Sequence, residues 1–404
     1  MNNILFIIST LFLIILTYYS VLTIWGIYYR GRELPSRFLD KYPSVDILIP
    51  AHNEGKVIGK TLDAMTKIKY PGELQIYLLD DNSQDETSTI AESYSKLYKN
   101  MHHIRVPIGK PKGKSRVLNY GLSISNSEYF AVYDADNCPE PKALRLLIEA
   151  VETFPDAMAS VGYVKTINEG KNWLTRMISL EFQVFQLLMQ SGRWLLFKTG
   201  SLTGTNMVVR RTVIEKIGGY DVYALAEDAE LTMTITRLGG LIPVVPESRT
   251  WEQEPESLRV LLKQRTRWLQ GNLYLLEKMF SSIQFFKGRV LVHSLQQILI
   301  YVVFLVFLLI SHVWFALGLL GYWKFSLAAP TLLIWYVSYI IYTSQLFSAQ
   351  AVEKSFSPMN IFIGFIMYFT YAQFFIYLFV RSLFYYIKAK RRKEIIPWDK
   401  TIRF

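Results

Sequence analysis

One cysteine in 404 residues, Cys138, excludes a disulfide framework and a thiolate-ligated metal centre. Charge is scarce as well: 19% of residues are Asp, Glu, Lys or Arg, against 51% apolar and 15% aromatic. A chain of this length and so little charge is not a wholly soluble protein. From residue 4 to residue 29 no charged side chain occurs, a run able to cross about 30 Å of hydrocarbon. The run also lacks the basic start and small-residue cleavage site of a signal peptide, so it reads as a retained anchor. Residues 293–320, 327–349 and 360–386 read as three further spans. Sparse charge within them argues against a pure transporter or channel, which needs polar groups at membrane depth.

Acidic residues are the minority, 33 against 44 basic, for a net charge of +11. The excess sits beside the hydrophobic runs, at Arg30, Arg32 and Arg37 and again over residues 388–393. Basic residues that flank spans mark the cytoplasmic side, which puts the central region in the cytoplasm and points to membrane lipids rather than nucleic acid as the partner. The expected organisation is an anchor over 1–30, a cytoplasmic domain over 40–280, C-terminal spans over 288–388 and a basic tail over 389–404. One tension follows. An anchor plus three spans would put the tail opposite the domain, whereas its charge argues for the same side; either one apolar segment lies along the interface or the stretch from Arg289 is more than one span.

In the central region, branched apolar runs alternate with helical patterns. Strands are expected at 45–50, 74–79 and 103–106, with helices at 56–67 and 86–99. This alternation is that of a doubly wound α/β sheet, whose ligands bind at the carboxyl ends of the strands. Glu54, Asp81, Asp134 and Asp136 all fall at such ends. Asp134 and Asp136 follow the apolar run 129–133, and alternate residues of a strand point to one side. Two carboxylates so placed suit Mg2+ or Mn2+, which take one or two protein carboxylates plus substrate phosphates. Lys112, Lys114 and Arg116 form a basic loop fit for a diphosphate. Residues 171–199 are apolar on more than one face yet interrupted by charge, which reads as an interfacial helix, with a core helix as the alternative.

Six segments occur in an order that resembles the family 2 inverting glycosyltransferases: 45–54 (VDILIPAHNE), 78–85 (LLDDNSQD), 112–121 (KGKSRVLNYG), 134–136 (DAD), 227–230 (EDAE) and 264–268 (QRTRW). The last resembles the element of the membrane-embedded processive branch, which includes cellulose, chitin, hyaluronan and poly-N-acetylglucosamine synthases. The resemblance implies a GT-A type, Rossmann-like cytoplasmic domain flanked by transmembrane helices. It implies a UDP-sugar donor bound through Glu54, Asp81, Lys112, Lys114, Asp134, Asp136, Gln264 and Arg267, with Mg2+ or Mn2+ held by Asp134 and Asp136. Asp228 matches the family's base and Glu227 is its fallback, because inversion needs a carboxylate to take the acceptor's proton. Gly204, Thr205, Asn206 and Trp268 are expected at the acceptor. Ala226 departs from the processive pattern, where Thr usually precedes this Glu-Asp pair. The residues at 397–403 are similar to a tail that closes over the nucleotide in those synthases, with Lys400 and Arg403 as its basic groups. The expectation is a polysaccharide synthase that exports its product, with accessory export or regulatory subunits as partners. Transfer of one sugar to a lipid carrier is the alternative.

Overall fold

The computed structural model describes residues 2–30, 38–322 and 329–392. Its centre is an eight-stranded sheet made of β1 (Val45–Ala51), β2 (Leu74–Asp80), β3 (Met101–Arg105), β4 (Tyr129–Val132), β5 (Cys138–Pro139), β6 (Ala159–Thr166), β7 (Met207–Arg210) and β8 (Val244–Glu252). The order is β3-β2-β1-β4-β7-β6-β8-β5. β1 to β4 are parallel, but β7 runs antiparallel to both β4 and β6, so the sheet is mixed where alternation alone implied a parallel one. Ile47, Leu48, Ile49, Phe130, Ala131 and Val132 are fully buried. Such unbroken apolar runs mark strands covered on both faces, and each fully buried Ile, Leu or Phe contributes about 1.5–3 kcal/mol.

Helix Asn2–Arg30 docks on this domain. Its Tyr29 hydroxyl donates to the carbonyl of Val244 at 3.1 Å. A Cβ on Gly26 would lie 2.1 Å from the Leu188 carbonyl oxygen, and one on Gly192 would lie 2.1 Å from that of Leu22. Two glycines therefore let this helix and the 173–197 segment approach backbone to backbone. That segment comprises helices Trp173–Phe182 and Gln190–Phe197 joined by a π-helical turn, Gln183–Met189. Ile178, Leu180, Leu187, Leu188 and Trp194 in it are buried, as in a core helix, while Trp173, Phe185 and Phe197 stay exposed, as in an interfacial one.

Among the described residues, three helical stretches are long and apolar enough to cross a membrane: Thr10–Tyr29, Val290–Leu319 and Leu332–Glu353. The segment expected as a span at 360–386 is a helix pair, Pro358–Ile366 and Phe374–Arg391, bent by 40° at its break, the geometry of a broken span or a re-entrant loop. Polar contacts tie this pair to the domain at several points. Asn360 bonds Arg176 and Glu169, the Tyr371 hydroxyl donates to Glu181 at 2.6 Å, and Lys390 pairs with Glu277. Helix Ala329–Glu353 also ends against the domain, where Glu353 meets Lys165 at 2.6 Å.

Candidate active site

A cavity of about 500 Å3 opens at the carboxyl ends of β1, β2 and β4. Glu54, Asp81, Asp134, Asp136, Glu227, Asp228, Gly204, Thr205, Gln264, Arg267 and Trp268 all line it, drawn from segments more than 200 residues apart in the chain. Register explains the convergence on the sheet side. Pro50 and Ala51 stand beside Leu79 and Asp80, so the chains leaving β1 and β2 emerge together. The Asp81 amide then donates to the Ala51 carbonyl at 2.8 Å, and its carboxylate accepts from the Arg116 guanidinium. Asp80 is a different matter. It is buried and accepts from Ser83, Ser88 and His103, so it fixes the loop while Asp81 faces the cavity.

Asp134 and Asp136 do not lie on a strand. β4 ends at Val132, and the two carboxylates are presented by the following turn, held by Asp134 N–H donating to Thr205 Oγ1 at 3.1 Å and by Thr61 Oγ1 donating to the Ala135 carbonyl at 2.8 Å. Among the described residues no group of three or more His, Cys, Asp or Glu side chains could hold a metal. Asp134 and Asp136 both line the cavity, and two such carboxylates are a donor set that fits Mg2+ or Mn2+, to which substrate phosphates would add the remaining oxygens.

Lys114 is the electrostatic centre. Its ammonium lies 2.6 Å from Asp134 Oδ1, 3.3 Å from Glu227 Oε1 and 2.7 Å from the Gly204 carbonyl. Burial works against its charge, but Asp134 and Glu227 win and hold it protonated above the usual lysine range. Lys114 therefore organises carboxylates within the cavity where the sequence suggested a diphosphate site. Glu227 and Asp228 begin helix Glu227–Arg237, whose N-terminal dipole favours carboxylates. Burial first and the Glu227 charge second push the Asp228 carboxyl up to about 7, with Lys114 pulling the other way. A carboxyl poised there is suited to general-base work near neutral pH. Gly204, at φ +77°, lets the loop pass so close that a Cβ would stand 3.3 Å from Asp228 Oδ2.

The opposite wall is helical. Helix Leu258–Phe280 contributes Gln264, Arg267 and Trp268. Arg265 lies 4.2 Å over the Trp268 ring and pairs with Glu181 at 2.7 Å, which fixes the indole's orientation. Phe182 and Phe185, then His293, Ile300 and Tyr301, and finally Phe375 continue this wall. Two π-helical turns, Gln183–Met189 and Leu299–Phe304, border it, and such turns recur at functional sites.

Two expected residues are not brought in. Lys112 is exposed and is not among the lining residues, although Gly113 and Lys114 beside it are. Asn206 is fully buried; its side chain bonds Tyr133, Ser248 and the Tyr163 carbonyl, so it braces β7 against β6 and β8. The 397–403 tail, with Lys400 and Arg403, lies outside the described residues. Three lining residues carried no signal in the sequence reading. His52, bonded to the Asp81 carbonyl at 2.6 Å, stands just past β1 and was reachable from that position. Arg193 and His293 sit on helices with no motif about them.

A mixed α/β sheet whose strand ends open on a carboxylate-lined crevice is the GT-A glycosyltransferase fold. The chain belongs to the family described as "Glycosyltransferase like family 2", which matches residues 43–271. It is 38% identical over 419 residues to "Probable glycosyltransferase YdaM" of Bacillus subtilis (strain 168), covering 100% of this chain and 99% of that one. It is 28% identical over 248 residues to the β-monoglucosyldiacylglycerol synthase of Trichormus variabilis, 61% of this chain and 52% of that one. It is 25% identical over 257 residues to the poly-β-1,6-N-acetyl-D-glucosamine synthase of Staphylococcus aureus (strain COL), 63% of this chain and 61% of that one. Among solved structures, the mannosyltransferase PcManGT of Pyrobaculum calidifontis, in complex with GDP-Man and Mn2+, superposes with a TM-score of 0.60 at 17% identity, covering 91% of this chain and 99% of that one.

Proposed function

We propose that this protein is a membrane-bound inverting glycosyltransferase that moves one sugar from a nucleoside diphosphate sugar to the hydroxyl of a lipid acceptor. One observation carries the reading: a single cavity joins the sheet-edge carboxylates to a wall built partly by the membrane-length helix Val290–Leu319. An amphiphile can offer its headgroup to Asp228 while its apolar part lies among Phe185, Ile300 and Phe375. The likeness to a diacylglycerol glucosyltransferase supports this over the polymerase expectation. The donor's base and ribose are assigned to Asp81 and its neighbours, with UDP the expected nucleotide. Asp134 and Asp136 would hold Mg2+ or Mn2+, which neutralises diphosphate charge when bound. Asp228 takes the acceptor proton as the acceptor oxygen bonds the anomeric carbon. The bond from that carbon to the diphosphate oxygen breaks, and its electrons leave with the nucleoside diphosphate.

Polysaccharide extension is the second reading, favoured by the Trp268 face fixed beside the base. Membranes containing the protein, incubated with labelled UDP-sugars, separate the two. Our reading expects label in an organic-extractable lipid bearing one sugar; a product of many sugars would overturn it.

In this reading the chain crosses the membrane three times and the 358–391 pair lies on the catalytic domain; the Lys390–Glu277 pair supports this, and it puts the basic residues 388–392 on the domain's side, as their charge demands.

A further inference from the structure

Arg193 is 3% exposed, forms part of the cavity wall, and has no carboxylate partner among the described residues. Its contacts are neutral: the Thr199 carbonyl at 3.1 Å, Ser201 Oγ, and His293 Nδ1 at 3.3 Å. Arg193 Nε and His293 Nε2 are both buried without a partner. A buried guanidinium left uncompensated is unfavourable in an isolated fold and becomes favourable once an anion joins it. The loop it holds leads to the base. From Ser201, Leu202 N–H donates to Thr232 Oγ1 at 2.9 Å, Thr232 Oγ1 donates to the Asp228 carbonyl at 2.8 Å, and Gly204 abuts Asp228 Oδ2. Ser201 to Gly204 is three residues, a span of at most about 11 Å.

We propose that Arg193, Ser201 and His293 form a subsite for an acidic phosphodiester of the acceptor, placed so that a hydroxyl of the same headgroup reaches Asp228. This rests on the lipid-acceptor reading and narrows it to an anionic lipid with a free headgroup hydroxyl. A raised carboxyl base serves an attacking atom that carries a proton at neutral pH, which a hydroxyl does and an ionised phosphate oxygen does not. Apolar Phe185 and Ile300 in the same wall favour a lipid over a soluble glycerol phosphate as the source.

The test uses the purified full chain in mixed micelles with the UDP-sugar that supports transfer in membranes. Phosphatidylglycerol should exceed dioleoylglycerol as acceptor by tenfold or more in kcat/KM. Phosphatidylethanol, a diester without the hydroxyl, should inhibit in competition with phosphatidylglycerol. Arg193→Gln should bring the acceptor ratio towards one with UDP binding retained, and Arg193→Lys should restore part of it. Should either variant fail to fold, the wild-type ratio and the phosphatidylethanol inhibition decide alone. Equal or better transfer to dioleoylglycerol overturns the subsite and leaves the lipid reading standing. Preference for sn-glycerol 3-phosphate overturns the lipid source. No transfer to any lipid overturns both the subsite and the lipid reading.

Discussion

At the sheet edge the cavity is walled by carboxylates, each within a few residues of a strand end: Glu54 after β1, Asp81 after β2, Asp134 and Asp136 after β4. Across from them stand Trp268, Arg267, Arg193, His293 and Phe375, carried by four helices. The first wall is rigid by construction, because parallel pairing locks neighbouring strand ends in register. The second depends on helix packing, including the backbone approach at Gly26 and Gly192. In the proposed reading the carboxylates of the first wall handle the metal and nucleotide, while the second wall, apart from the donor contacts expected of Gln264 and Arg267, selects the acceptor.

The largest test of that division is Asp136→Asn, which should abolish both transfer and metal-dependent UDP binding while the melting temperature stays near wild type; undiminished turnover would remove the metal role from the sheet-edge wall. Asp228→Asn should cut transfer roughly 100-fold or more with UDP binding intact, since only the proton acceptor is lost. The same variant should melt higher than wild type at pH 8. A carboxyl raised to about 7 in the fold favours folding while protonated, and this advantage is lost as pH climbs from the unfolded value of about 4 through about 7. At pH 4 the two proteins should melt alike, and a lower melting point for the variant at pH 8 would contradict the buried-base assignment.

On the helical wall, Gly192→Val should force the anchor helix off the Gln190–Phe197 helix, at about 1–3 kcal/mol for overpacking. Acceptor KM should rise more than donor KM; an equal rise in both would break the proposed separation of the walls. The smallest expected effect is a shift in pH dependence. Wild-type kcat/KM should fall on the acid side with a midpoint near 7, as Asp228 takes up its proton. Removing a neighbouring negative charge stabilises the ionised form, so Glu227→Gln should move that midpoint to lower pH. Movement to higher pH would mean that Glu227 does not act on Asp228 through its charge.

Much of the donor side was legible because each group sits next to a strand in the chain, and a strand end is a local feature. Even there, tertiary contacts chose between adjacent residues. Asp80 turned inward to Ser83, Ser88 and His103 while Asp81 faced the cavity, and Lys112 stayed outside while Lys114, two residues on, became its centre. Asn206 was misplaced for a similar reason: β7 buries it between neighbouring strands, and no pattern in a loop of Gly, Ser and Thr reveals which members point inward. The 360–386 segment has the composition of a span, and only three dimensions reveal the bend at its break and its bonds to Glu169, Glu181 and Glu277.

The sequence by itself determined the strand-and-helix alternation, the family motifs, the carboxylates of the sheet edge and the membrane-length runs, since periodicity, composition and short spacing are properties of neighbours in the chain. Tertiary structure alone decided the antiparallel turn of β7, the raised carboxyl of Asp228 and the meeting of Arg193 with His293, 100 residues apart. Burial and the approach of charges from other elements govern these, and both depend on three-dimensional distance, which chain order does not encode.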